Sequence, residues 1–177
     1  MQQLRHSGGG GGKPLCFGDL GLLADLLVQN VPYKPIYDMG ICPHGADRNS
    51  EIIDKIHKAN PNSIILNTTG SPIEFLKKMK QCKTILSTGL HPLIAADSMG
   101  IPNLWGRISE IPTYHKFKDY YSVFNIEEEL EPYYLDTNSI TPDFIIDKYK
   151  LTSLIVEQVK QKLYDVHKKF FEEHKFN

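Results

Sequence analysis

Long apolar runs, an excess of either charge and paired cysteines are all missing from this chain of 177 residues, and each absence narrows what it can do. No apolar stretch approaches the roughly 20 residues that cross a bilayer as a helix, so no membrane span is expected. Lys plus Arg total 20 against 21 for Asp plus Glu, so no basic field recommends nucleic acid or anionic lipid as a main partner. The three cysteines, Cys16, Cys42 and Cys82, lie far apart with no CxxC pair. That argues against a disulfide framework or a structural zinc site and fits a reducing compartment. They read as small core residues instead of nucleophiles. The opening MQQLRHSGGGGGKP lacks the apolar stretch of a secretory signal, and a cytoplasmic location is expected. No HExxH or similar spacing and no GxSxG elbow occurs, which disfavours a metal centre and an acyl-serine hydrolase.

What is present fits one sizeable core. Residues 1–14 read as a disordered leader, because five consecutive glycines, Gly8 to Gly12, lose too much backbone entropy to order alone. The string GGGGGKP resembles a phosphate loop only superficially: no strand precedes it, and Pro14 stands where a Ser or Thr would hold Mg²⁺. A domain over 15–124, an acidic and aromatic loop region over 125–150, and an amphipathic helix over 151–177 are expected to follow.

Within 15–124 the pattern alternates. Leu20 to Val28 is leucine-rich and helical, and Lys34 to Pro43 reads as a strand ending at His44. Asn49 or Ser50 can cap a helix through Lys58, and Ser63 to Asn67 is a β-branched strand. Ser71-Pro72 opens a helix through Gln81, since serine suits the N-cap and proline the first turn. Lys83 to Ser87 is the next strand, His91 to Met99 a helix stopped by Gly100, and Ile101 to Trp105 a further strand. Lys116 to Phe124 reads as a short aromatic helix, and Glu127 to Asp136 as a solvated loop or lid. From Thr152 to His174 apolar residues recur at helical spacing, at Ile155, Val159, Leu163, Val166 and Phe170.

Short connections between alternating strands and helices predict an α/β, Rossmann-like three-layer domain with a mostly parallel sheet. Ligands gather at the carboxyl ends of such strands, so three loops should share one rim: Pro43-His44-Gly45, Thr68-Thr69-Gly70 and Thr88-Gly89-Leu90-His91. His91 stands where a strand feeds a helix N-terminus, the place where open N–H groups and the helix dipole hold anions. It is the candidate catalytic residue, a general acid or an anion ligand; the plain alternative is a histidine capping its own helix. Pro92 lacks an N–H, which should leave those of Leu93 and Ile94 open, and Gly89 should let a ligand approach the backbone. His44, Thr69, Ser87 and Leu90 are the substrate-binding candidates on the same rim. His57, His115, His167 and His174 sit on helical or charged stretches and read as solvent-exposed.

Placed in order, several stretches resemble the C-terminal half of the polysaccharide pyruvyl transferase family. They are Gly18-Asp19-x-Gly21-Leu22-Leu23, Tyr37 to His44, the turn Ser87 to His91 with Leu93 to Asp97, Gly100-Ile101-Pro102-Asn103, and Lys116-Phe117-x-Asp119-Tyr120-Tyr121. The resemblance covers roughly Phe17 to Tyr121. It implies one half of a two-domain glycosyltransferase-B-like architecture with its active site in the interdomain cleft. It also implies transfer of the enolpyruvyl unit of phosphoenolpyruvate to sugar hydroxyls of a surface or exopolysaccharide, with no further cofactor. His91 falls on the histidine treated as essential in that family. Partners implied are phosphoenolpyruvate, a saccharide acceptor, and a separate N-terminal half or an oligomer. The chain departs from the family at Gly89, where Arg or Ser is common, and at Pro92, where Gly is common. Two other readings stay open: the donor domain of a nucleotide-sugar glycosyltransferase, and a non-catalytic relative retained for binding or assembly.

Overall fold

A computed structural model describes residues 18–108, 114–136 and 140–173, with side chains through residue 168. The glycine leader, Cys16, the Phe170 side chain and His174 lie outside the described residues. Five strands, β1 (Tyr37–Cys42), β2 (Ser63–Ile65), β3 (Cys82–Ser87), β4 (Asn103–Arg107) and β5 (Tyr133–Tyr134), form a sheet of order β2-β1-β3-β4-β5. Every pairing is parallel, with Met39 opposite both Ser63 and Thr84, and Leu86 opposite Leu104. The crossovers are helices α1 (Glu51–Ala59), α2 (Pro72–Met79), α3 (Leu90–Ser98) and α4 (Tyr114–Ser122); α5 (Pro142–Lys148) and α6 (Ser153–Glu173) follow β5. The α/β three-layer expectation is met.

Local chemistry explains most boundaries. Ser50 caps α1 through the Ile52 N–H, and Ser71 caps α2 through the Glu74 N–H with Pro72 at the first position. Beyond α3, Gly100 adopts φ +66°, and the bonds Gly100 N–H to Asp97 O and Ile101 N–H to Ala96 O close a Schellman stop. Leu20–Val28 is wound as a 3₁₀ helix instead of an α-helix; Asp19 Oδ1 accepts the Gly21 N–H at 2.7 Å to begin it. A Cβ at Gly21 would sit 3.1 Å from Ile94 Cγ2, so glycine permits the close seat on α3.

Because the chain leaves β1 toward β2 and later returns past it to β3, helices fall on both faces of the sheet. On one face Ile53 and Ile56 of α1 and Ile145 of α5 pack with Met39, Ile41, Leu86 and Leu104. On the other, α2 and α3 cover Cys42 and Ile85, while α4 and α6 surround Trp105. Residues Leu93 to Ser98 of α3 are all buried, so this helix runs through the interior. Cys42 and Cys82 are core residues as expected, and burial raises both thiols, Cys82 to about 12.

The region 125–150 departs from the expected loop or lid. Tyr133–Tyr134 pair with β4, and α5 lies within the same stretch, capped by the Thr141 hydroxyl with Pro142 in its first turn. Lys118 Nζ binds Glu131 Oε1 at 2.8 Å and also the Glu127 carbonyl, while Leu135 is buried against Gly106. The acidic run is fastened to α4 through Lys118, while Glu128, Glu129, Glu131 and Asp136 stay exposed to solvent as expected. His57 is half-buried and meets Ser63 Oγ through Nδ1 at 2.7 Å, and His167 is half-buried too, so neither is the freely exposed residue expected. No helix among the described residues is long and apolar enough to cross a membrane.

Candidate functional site

β1 and β3 are parallel neighbours, yet the chain leaves them toward opposite edges of the sheet. Their carboxyl ends mark the topological switch point at which open α/β sheets take ligands. The turn after β1, with His44, meets the turn after β3, with Thr88 to His91. Polar bonds stitch the two together. The His44 N–H donates to Thr88 Oγ1 at 2.8 Å. The Ser87 hydroxyl lies 2.8 Å from the Cys42 carbonyl oxygen and 2.9 Å from that of Gly89, and accepts the Gly89 N–H at 3.0 Å. Ser87 is 1% exposed, so its hydroxyl shapes the turn from inside.

His91 is exposed as the second residue of α3. The helix begins at Leu90, one residue earlier than the sequence suggests, and this moves the open donors. Leu93 and Ile94 enter the intrahelical ladder, while the N–H groups of Leu90 and His91 lack intrahelical acceptors. Gly89 at the N-cap gives no side-chain cap, and Pro92 has no N–H to satisfy. The Leu90 side chain packs on the cluster around Trp105, leaving its N–H as its contribution to the rim. His91 thus combines a titratable ring with the positive end of a helix.

His44 is also exposed. Its Nδ1 accepts the Ala46 N–H at 3.3 Å, capping the 3₁₀ turn Gly45–Asp47, which puts the neutral ring's proton on Nε2. Gly89 has φ −112° and ψ 149°, and an added Cβ would meet only Pro92 Cδ at 3.7 Å and the His44 Cα and Cβ at 3.8 Å. Neither backbone nor space requires glycine there. The position between the two histidines accepts a side chain that this chain does not carry.

Thr69 lies one strand further out, in the loop after β2. Its N–H and hydroxyl both donate to Asn67 Oδ1, at 3.0 and 2.7 Å. Arg48, four residues beyond His44, reaches that same loop: Nη2 donates to Asn67 Oδ1 at 3.2 Å and to Thr68 Oγ1 at 3.3 Å. Sequence reading passed over Arg48, although its place in the turn after β1 put it on the rim. Among the described residues no three His, Cys, Asp or Glu side chains converge to hold a metal.

Behind the rim, three of the stretches that carry the family resemblance converge on one buried carboxylate. Asp97 of α3, fully buried, accepts hydrogen bonds from Asn103 Nδ2 at 2.6 Å, Tyr149 OH at 2.9 Å and Tyr120 OH at 2.8 Å. Burial raises its pKa to about 6, partly offset by the bonds from Asn103, Tyr120 and Tyr149. These residues fix α3 from its far end and hold the first turn in place.

Residues 18–105 match the family model described as polysaccharide pyruvyl transferase. An uncharacterized protein of Acanthamoeba polyphaga mimivirus is 35% identical over 127 residues, covering 65% of this chain and 42% of the viral protein. The chain therefore spans less than half the length of the curated relative it matches. No solved structure gives a significant match. From the capped 3₁₀ helix through β4, then, the chain belongs to the polysaccharide pyruvyl transferase family.

Proposed function

We propose that this chain carries the donor half-site of a pyruvyl transferase, binding phosphoenolpyruvate with His91 as proton donor to the enol carbon. The observation that supports this most is an exposed imidazole in the first turn of α3, beside two open N–H groups, at the β1/β3 switch point. Proton transfer from His91 to C3 makes C2 electrophilic. A sugar hydroxyl adds to C2 and gives its proton to the imidazole that His91 has just left neutral. A second hydroxyl of the same sugar then displaces phosphate and closes the ketal, its proton leaving with the phosphate. A positioned acid of this kind contributes about 10²–10⁴-fold to rate. The acceptor is a saccharide of a surface or exopolysaccharide, made in the cytoplasm. The opposing wall of the cleft comes from a second glycosyltransferase-B-like half, supplied by a separate chain or an oligomer.

Calorimetric titration of the chain with phosphoenolpyruvate tests the reading. His91→Ala should weaken binding by about tenfold or more, the worth of a charge-assisted hydrogen bond. Absence of binding by the unmodified chain, or an unchanged affinity in the variant, refutes it. Arg48 favours one second reading, a nucleotide-sugar donor, because a diphosphate is held by planar guanidinium donors. Thermal protection by a uridine or guanosine diphosphate sugar, without protection by phosphoenolpyruvate, would establish that alternative.

A further inference from the structure

Arg48 is half-exposed at the carboxyl-end rim, and its two hydrogen bonds both leave from Nη2 and both end on neutral oxygens, Asn67 Oδ1 and Thr68 Oγ1. Among the described residues no carboxylate pairs with it. The bracing is elaborate for a surface side chain. Asn67 Oδ1 gathers three donors, the Arg48 guanidinium and the Thr69 N–H and hydroxyl, so loop and cation hold each other's position. The N–H groups on Nε and Nη1 remain to donate single charge-assisted bonds to an anion, while the Nη2 hydrogens face the loop. An ordered, uncompensated guanidinium above the strand ends is arranged for an anion.

We propose that Arg48, held by Asn67 and Thr68, forms a phosphate-binding subsite on the β1/β2 side of the rim, next to the turns that carry His44 and His91. The proposal deepens the donor-site reading and rests on it for the identity of the ligand. Adjacent strands are spaced about 4.8 Å apart, so the β2 and β3 loops stand about 10 Å apart across the rim. A phosphate gripped by Arg48 belongs either to the donor, lying across β1, or to a phosphorylated sugar acceptor. Both supply the same chemistry to the guanidinium.

The experiment titrates the chain, calorimetrically, with inorganic phosphate, phosphoenolpyruvate and a hexose 1-phosphate, in the unmodified form and as Arg48→Gln, Arg48→Lys and His91→Ala. Arg48→Gln should weaken inorganic phosphate by about tenfold or more, with Arg48→Lys in between because it keeps the charge and loses the simultaneous bracing by Asn67 and Thr68. An equal loss for phosphoenolpyruvate supports the subsite and assigns it to the donor; a loss confined to the hexose phosphate supports it and assigns it to the acceptor. No phosphate binding by the unmodified chain, or equal affinities in Arg48→Gln, overturns the subsite. Arg48-dependent phosphate binding without any binding of phosphoenolpyruvate keeps the subsite and removes the donor reading. A phosphoenolpyruvate loss in His91→Ala, with none of the three ligands weakened by Arg48→Gln, keeps the donor reading and removes the subsite. Unchanged melting of Arg48→Gln and Arg48→Lys separates lost contacts from lost fold.

Discussion

Asp97 sets two physical effects against each other, and pH decides which prevails. Loss of solvation favours the neutral acid, whereas three donors, from Asn103, Tyr120 and Tyr149, favour the carboxylate. Burial wins, to a folded pKa of about 6 against 3.8 for the ordinary side chain. The folded protein therefore holds this proton more tightly than the unfolded chain does. Stability is greatest below the unfolded value and is lost as pH rises through about 6. The full contribution is about 3 kcal/mol, and the part falling between pH 7.5 and pH 5 is about 1.4 kcal/mol. Urea unfolding of the wild type and Asp97→Asn at both pH values isolates the effect, because other titrating groups cancel in the difference. The wild-type advantage over Asp97→Asn should be larger by about 1.4 kcal/mol at pH 5 than at pH 7.5. A difference that shrinks on acidification shows that the three hydrogen bonds outweigh desolvation and refutes the reasoning.

Three further outcomes follow from packing and charge. Gly40→Ala places a Cβ 2.8 Å from both Cys82 Sγ and Ile85 Cδ1, and should cost about 1–3 kcal/mol in chemical denaturation; a neutral result would show that β1 and β3 separate easily. Gly89→Ser supplies the cap that α3 lacks at a backbone angle serine adopts freely, and should raise stability by a few tenths to about 1 kcal/mol, read as a higher melting temperature. Lys160 is buried and binds Asp25 at 2.7 Å, Ser98 O at 2.9 Å and Glu157 at 2.9 Å, so Lys160→Ala strands the Asp25 carboxylate. That variant should lose about 2 kcal/mol, and a loss below about 0.5 kcal/mol would place the pair among inconsequential surface contacts.

The parts of this fold that could be read from sequence are those whose cause is local. Ser50, Ser71-Pro72 and Gly100 mark helix ends because their partners lie within a few residues. By the same logic Thr141-Pro142 announces α5, but the acidic run before it drew attention to solvation instead. β5 holds two residues and exists because Gly106 and Arg107 lie beside it, a cause that no window of sequence contains. At the site, His44 and His91 could be placed on one rim by topology alone. The bracing of Arg48 spans 19 and 20 residues and required the folded loops. Asp97 offered a clue in sequence, a lone acid in the apolar run Leu93 to Ala96, yet its partner Tyr149 is 52 residues away. The resemblance found Asp97, Asn103 and Tyr120 as separate stretches, and only the fold shows that they share one hydrogen-bonded knot.

The two margins of the sheet carry a consequence for assembly. β2 offers three paired residues and β5 two, so a partner adding a strand at either edge would gain few backbone bonds. On the proposed reading, a second half walling the site would approach end-on, over the strand termini, where His44, Arg48, Thr69, His91 and the open first turn of α3 lie. Such a surface is polar and hydrated, and a neighbour pressed against it would strand those donors unless an anion lay between. On that reading ligand and partner cease to be independent: the substrate would act as the adhesive of the cleft, and each half should bind the other more tightly when it is present.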